Sequence, residues 1–444
     1  MSWTNYFGRL LIGGMIVLPV LAQQTSPDAL QQILHRLDTL ERQNQALLAE
    51  IQELKKAIKT SQESAPAQTE ELQEKVNTTQ QEVKDQAQTK VEASHRFPVS
   101  LTGMFLFDAF ATGGQTGYAV QEYGPYGTSS PNGATLRQSI IGFDFRGPQL
   151  PGGGKVWGSL QADFFAQVND TDYMRLRRGI VVFDWRARSL TFGQDRSIIA
   201  PLEPDSFARV GIPPLAGAGN LWLWRPQATY EERIPIGADW RLALQGSVFE
   251  TDESYATSEL PSTISPPQPR PAGQVRVEFS DKPRERSRFA VGLGFDHSST
   301  HLLGQSAPSQ VVSVDFRYRP FSKMEVTGGF FQGKNFANLG GEPPGVTIEN
   351  GIVVPIRGAA GWMQAAFPVT PRITFDIYAG RQVNNPHDLN AYEVERTLNY
   401  AGNIIYRVAP NVVLSFEASQ NRLQFLASSP LLTNRYDATV AYLF

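Results

Sequence analysis

Residues 310–323 read Gln-Val-Val-Ser-Val-Asp-Phe-Arg-Tyr-Arg-Pro-Phe-Ser-Lys. Val312, Val314, Phe316 and Tyr318 fall on one side of an extended chain, and Ser313, Asp315, Arg317 and Arg319 on the other. That is a strand with one apolar and one polar face, closed by the short link Pro320-Phe321-Ser322. The same alternation recurs in 274–280, 372–378 and 411–419. Alternation by itself also suits a soluble sandwich, so the connections have to decide the fold.

Outward from that stretch, the chain from Phe97 to Phe444 breaks into about sixteen strands of roughly ten residues, a length that crosses a bilayer at a tilt. The expected starts are Val99, Thr135, Val156, Met174, Ser189, Trp224, Trp240, Gly273, Arg286, Gln310, Lys323, Arg357, Arg372, Glu395, Asn411 and Arg435. Links after even-numbered strands are short, such as Val408-Ala409-Pro410. Those after odd-numbered strands are mostly long and rich in Gly, Pro, Ser and Asn, such as 111–134, 195–223, 251–272 and 333–356. Short turns on one rim and long loops on the other predict an all-β, antiparallel transmembrane barrel. Closure is required because lipid cannot satisfy an open sheet edge. A ring of that size encloses an aqueous lumen, which reconciles a membrane-spanning chain with a mean hydropathy of −0.27. In the last strand Tyr436, Ala438, Val440, Tyr442 and Phe444 form one apolar row. That row resembles the C-terminal signal read by barrel assembly machinery, with Tyr442 and Phe444 as its core.

Ahead of the barrel lie three segments. In 1–22, Arg9 precedes an apolar run from Leu10 to Leu21, too short to span but suited to a signal peptide cleaved after Ala22. In 23–63, Leu30, Ile33, Leu37, Leu40, Asn44, Leu47, Ile51, Leu54 and Ile58 follow one another at alternating steps of three and four. That a/d seam predicts an α-helical coiled-coil stalk, with Leu37, Asn44 and Ile51 in the oligomer seam. Branching does not choose between two and three chains. Residues 64–96 read equally as a polar linker or a second helical segment. Export places the barrel in a bacterial outer membrane, in contact with its lipid. An even strand number puts both ends of the barrel, and so the stalk, on the periplasmic side.

The 444 residues carry 40 Lys plus Arg, 43 Asp plus Glu and no Cys. Near-neutral charge argues against a nucleic-acid partner, and zero Cys excludes thiol catalysis and thiolate metal sites. The five His occupy stalk and loop positions, no Gly-x-Ser-x-Gly elbow occurs, and 152–155 is a turn rather than a phosphate loop. No enzyme, metal or cofactor is expected. From Phe97 onward there are 26 Arg, 4 Lys and 31 acids, so selectivity must come from local clusters. The densest is Met174-Arg175-Leu176-Arg177-Arg178. Alternation aims Arg175 and Arg177 at the lumen, opposite Met174, Leu176, Ile180 and Val182, and puts Arg178 on the apolar face. Arg225, Gln227 and Thr229 are aimed inward, opposite Trp224. Arg196 and Arg209 flank or lie within 195–223, a Pro-rich and small-residue segment able to fold into a pore as a constriction. The bland alternative is that these arginines pair with Asp163, Asp195, Glu203, Asp205 or Glu231 and stiffen the wall. Tryptophans near strand ends read as an interfacial girdle.

Arg175-Leu176-Arg177-Arg178, then Gly193-Gln194, then Arg225-Pro226-Gln227-Ala228 resemble the motifs of DcaP-like trimeric outer-membrane porins, and more distantly the phosphate-selective porins. Gly179-Ile180 and Asp195-Arg196 depart from that pattern. The resemblance implies a homotrimer and uptake of small anions, dicarboxylates among them, with Arg175, Arg177 and Arg225 as pore positions. The competing class is a structural tether, in which the barrel anchors a coiled coil that spaces the membrane from the cell wall.

Overall fold

The computed structural model describes residues 99–114, 132–168, 171–251, 270–281 and 287–444, together with 49, 52 and 53. The chain divides into two compact units, Met1–Arg96 and Phe97–Phe444. In the first unit Ala49, Gln52 and Glu53 are helical. The signal peptide and the seam positions Leu37, Asn44 and Ile51 lie outside the described residues.

Among the described residues the second unit is built on one antiparallel sheet closed on itself, with two short two-stranded hairpins, His301–Leu302 with Gln305–Ser306 and Val346–Glu349 with Ile352–Pro355, in its links. Its strands are β1 (Val99–Gly114), β2 (Asn132–Thr135 and Ile140–Leu150), β3 (Gly154–Val168), β4 (Thr171–Asp184), β5 (Arg188–Arg196), β6 (Trp224–Ile236), β7 (Trp240–Glu250) and β8 (Pro271–Ser280). Then follow β9 (Phe289–Ser298), β10 (Gln310–Phe321), β11 (Met324–Lys334), β12 (Arg357–Pro368), β13 (Ile373–Asn384), β14 (Val394–Ala409), β15 (Val412–Phe425) and β16 (Leu431–Leu443). The two pieces of β2 pair in succession with β1, so they form one strand interrupted at 136–139. Each strand pairs with the next, and β16 pairs with β1 from Met104↔Leu443 to Gly114↔Thr433, leaving no edge. Sixteen strands result, and the expected starts fall within a few residues of the observed ones.

The side chains are sorted inside out. Along β8, Gln274, Arg276, Glu278 and Ser280 are buried, whereas Val275 and Val277 are 57% and 43% exposed. A water-soluble sheet protein buries its apolar file; here the apolar file faces outward all round the ring, as with Phe105, Leu293, Val314, Ile377 and Phe416. The barrel closes at the C-terminus, where the Phe444 backbone exchanges hydrogen bonds of 2.9 and 3.1 Å with Gly103. A Cβ on Gly103 would sit 2.9 Å from the Phe444 ring, so glycine there seats the last aromatic. Tyr436, Ala438, Val440, Tyr442 and Phe444 form the expected outward row.

The lumen is not simply open. Ile199, Ala200, Leu202, Leu215 and Leu221 from the link between β5 and β6 are buried against Phe336 and Leu339 of the β11–β12 link. Inward-facing Phe331, Trp362, Tyr378 and Ala401 complete that apolar core. The lumen expected from strand number is narrowed by these two links: once folded inward they carry their own apolar residues, which collapse together inside the ring.

Candidate functional site

The constriction starts from a backbone irregularity in β4. Gln161 pairs with Arg178 but Ala162 pairs with Leu176, so Arg177 is the extra residue of a bulge. The bulge resets the alternation. Arg175 stays inward, but Arg178, Ile180 and Val182 also turn inward. Ile180 and Val182 are 3% and 5% exposed, and Arg178 binds Asp195 at 3.2 Å. The strict two-residue period that placed these three residues on the lipid face is thereby corrected.

A bulge leaves ladder carbonyls without partners. Gln194 supplies them: its Nε2 donates to the carbonyls of Leu176 and Arg177 at 2.8 and 3.2 Å. Gly193 makes this approach feasible, with φ of 132° and a hypothetical Cβ only 1.9 Å from the Gly179 carbonyl oxygen. The Arg-Leu-Arg-Arg and Gly-Gln segments are thus two halves of one device.

Asp163, 0% exposed, is the hub of the arginine wall. Arg175 donates Nε and Nη2 to its two oxygens at 3.1 and 2.6 Å, and Arg177 donates Nη1 at 3.1 Å. The same guanidiniums reach the inserted link: Arg175 Nη2 donates to Gly211 O at 2.6 Å and Arg177 Nη1 to Val210 O at 2.5 Å. Both rest on Trp224, with 5.4 and 4.7 Å from guanidinium carbon to ring centroid, and Arg175 also covers Phe165 at 5.2 Å. Such charge-assisted bonds each contribute about 1.5–3 kcal/mol. Arg175 and Arg177 therefore clamp the 197–223 link to the wall.

The other candidates lie around this clamp. Arg196 pairs with Glu203, and Gln227 donates to Arg196 O at 2.6 Å while accepting from Ser247 at 2.9 Å. Arg225 lies opposite Asp195 in the β5–β6 ladder. Arg209 sits apart from them, acting electrostatically on Asp108, Glu417 and Arg435.

The link itself traverses the lumen. Gln274 on β8 accepts from Ser197 Oγ and Ile198 N. The backbone N of Asp205 donates to Gln364 on β12, and Ser206 donates to Glu417 on β15 at 2.6 Å. Asn403 on β14 donates to Asp205 O. Gln138 in β2 takes both Val210 N and Gly211 N at 2.8 Å. Gly217 O then accepts from Thr397, and a Cβ on Gly219 would meet the Gly361 carbonyl at 2.2 Å. Asp205 is pushed above the usual carboxylate range, first by burial and then by the nearby charges of Glu325 and Glu203. Five guanidiniums on β4 to β6 (Arg175, Arg177, Arg178, Arg196, Arg225) face three carboxylates, Asp163, Asp195 and Glu203, a local net charge of +2. On the β11–β15 side Asp376 lies within electrostatic reach of Asp205, Glu325 and Glu417, and Glu325 is itself paired with Arg317 and Arg319 of β10.

Gln138 and Phe165 carried no signal in the sequence, and Trp224, expected on the face opposite inward Arg225, instead lies inside the ring under Arg175 and Arg177. Gln138 lies in the interruption of β2, and Trp224 opens its strand where alternation has no earlier residue to anchor it. Trp222, Trp224 and Trp362 are interior rather than interfacial: Trp222 meets Trp224 edge-on at 5.3 Å, and Trp362 is 2% exposed. Trp240, stacked on Phe279 at 4.8 Å, keeps an outward girdle position.

No family model matches the chain, and no curated protein matches it by sequence. Solved structures do. The outer membrane channel DcaP of Acinetobacter baumannii superposes with a TM-score of 0.63 and 17% identity, covering 78% of this chain and 97% of that one. OmpF of Salmonella typhi, solved with daunomycin, gives 0.51, 11%, 78% and 97%. An anion-selective porin from Comamonas acidovorans gives 0.50, 13%, 78% and 99%. At these identities the likeness is one of fold, and the described barrel has the porin fold of the DcaP channel that its motifs resemble.

Proposed function

We propose that the chain is a bacterial outer-membrane porin, standing as a homotrimer with its N-terminal stalk in the periplasm. It takes up small hydrophilic solutes passively and favours small anions such as dicarboxylates. The observation that carries this reading is the inside-out closed ring with a long link folded into its lumen beside five guanidiniums. Arg forms planar two-point contacts that match carboxylate. Most of these arginines have carboxylate partners, yet five guanidiniums against three carboxylates leave the cluster a net positive charge, and Asp376 on β13 and Glu417 on β15 would supply the opposite sign for a transverse field. The assembly machinery would read Tyr442 and Phe444, the outward aromatics that close the ring.

Planar-bilayer recording tests the proposal. Ohmic steps, with a reversal potential in asymmetric KCl on the anion side, are expected. The apolar core between the two inserted links favours a second reading, a plugged barrel acting as a tether; absence of conductance steps from inserted protein would establish that one instead.

A further inference from the structure

A file of cations stands on the outside of the barrel, where most of that surface is apolar. On β12 to β15 the outward positions nearer the short turns are residues such as Met363, Ile377, Ile404 and Phe416, all exposed. Further along the same outward files, at the long-loop ends, β11 to β15 carry Lys334, Arg357, Arg381, Arg396 and Arg422. These are neighbours across the sheet. Lys334 pairs with Arg357, Val383 with Arg396, and Arg381 with Leu398, which in turn pairs with Arg422. Arg381 and Arg422 are thus two strands apart, roughly 10 Å.

Most of this charge is left unneutralised. Arg357 is held by Asp388 at 2.6 and 2.7 Å. Arg396, however, donates to an amide, Gln424 Oε1, at 2.6 Å. Arg422 donates to Gln420 Oε1 at 2.9 Å and to the Tyr400 hydroxyl at 3.3 Å. The Arg381 side chain has no hydrogen-bond or ion-pair partner among the described residues. Amides and a phenol fix these guanidiniums in place without cancelling them. At the same level β7, β9 and β10 present Val248, Phe295 and Val312 outward. Glu250 is the one exposed carboxylate on β7 to β10 among the described residues, so a second copy offers no matching row of acids there.

We propose that this outward patch binds the phosphate-bearing headgroups of anionic lipid, while the apolar file next to it takes the acyl chains. The inference rests on the reading of the barrel as membrane-spanning. Charge-assisted, two-point Arg contacts suit phosphate, and the order along each strand, oily then basic, matches an amphiphile whose head lies toward the long-loop rim.

The test uses the full-length protein in neutral detergent and native mass spectrometry, with short-chain phosphatidic acid, phosphatidylcholine and inorganic phosphate as probes. The R381Q/R396Q/R422Q variant is compared with wild type and with Arg372→Gln, which alters an exposed arginine near a short turn. Retention of phosphatidic acid is expected to fall on the order of a hundredfold in the triple variant alone, with phosphatidylcholine unaffected. Equal retention overturns the proposal, as does displacement of the lipid by an equal concentration of inorganic phosphate. Loss of oligomers with lipid retention unchanged also overturns it, making the patch a subunit interface. Bilayer insertion, recorded in parallel, separates the two readings. Wild type that fails to insert overturns the membrane barrel and this inference together; wild type that inserts while retention is equal overturns this inference alone.

Discussion

Two sets of arginines on one barrel meet opposite fates. Inside, Arg175 and Arg177 crowd a carboxylate with no solvent exposure, rest on Trp224 and reach the backbone of the inserted link. Outside, Arg381, Arg396 and Arg422 are exposed, and among the described residues their side chains are met by amides, a phenol or, for Arg381, no polar group. The residue type is the same and so is the secondary structure. What differs is the face, and with it the job: inside, arginine sets the position of a loop and leaves a small surplus of charge; outside, it leaves its whole charge on offer. An arginine count therefore says little about selectivity until each one is assigned a face and a partner.

The sharpest way to break that contrast is Asp163→Ala. Two guanidiniums would lose their shared, fully buried partner, and removing one side of such a pair costs about 3–5 kcal/mol. The expected outcome is a lower urea midpoint and a larger, noisier single-channel conductance as the link leaves the wall. An unchanged midpoint would show that Asp163 is not the hub.

Next in size is Arg175→Ala combined with Arg177→Ala. Selectivity alone would move only the reversal potential toward cations. The geometry adds a second effect, because both bonds to Val210 and Gly211 are lost, so conductance should rise as well. A shift in reversal potential at constant conductance would argue that the link is held by other contacts, Gln138 foremost.

Acidification probes the far end of the same link. The carboxyl of Asp205 binds its proton more tightly in the folded protein than in an unfolded chain, chiefly through burial. Its ionised form therefore opposes docking at neutral pH, and protonation as pH falls toward the ordinary carboxylate range relieves that cost. Channel noise from link motion should decrease on acidification in wild type and lose this dependence in Asp205→Asn. An opposite slope would mean that the charged form is the one stabilised.

The smallest effect is expected outside. Arg381→Gln removes a side chain without a polar partner among the described residues, so urea stability should change by less than about 0.5 kcal/mol and conductance should stay put. A large loss of either would show that this surface is structural and erase the distinction between the two sets.

The ring was legible from residues alone because its cause is local. Alternation such as Val312 to Arg319 and links such as Pro320-Phe321-Ser322 act over a few residues, and lipid then forces every edge to close. Outward Tyr442 and Phe444 follow from the same period. The site was legible in part: 195–223 stood out by its prolines and small residues, and Asp163 by its place among candidate partners. Other features depended on contacts remote in the chain. The single extra residue at Arg177 turns Arg178, Ile180 and Val182 inward, and only the pairing of β3 with β4 reveals it. The partners of Asp205 and Ser206 lie 159 to 211 positions away. Period-two patterning determines which residues can face water or lipid, because it is a property of the extended backbone. Which arginine clamps, which stays free and how far the lumen fills were decided by tertiary structure, because ion pairs and apolar contacts form between whichever groups closure brings within a few ångströms.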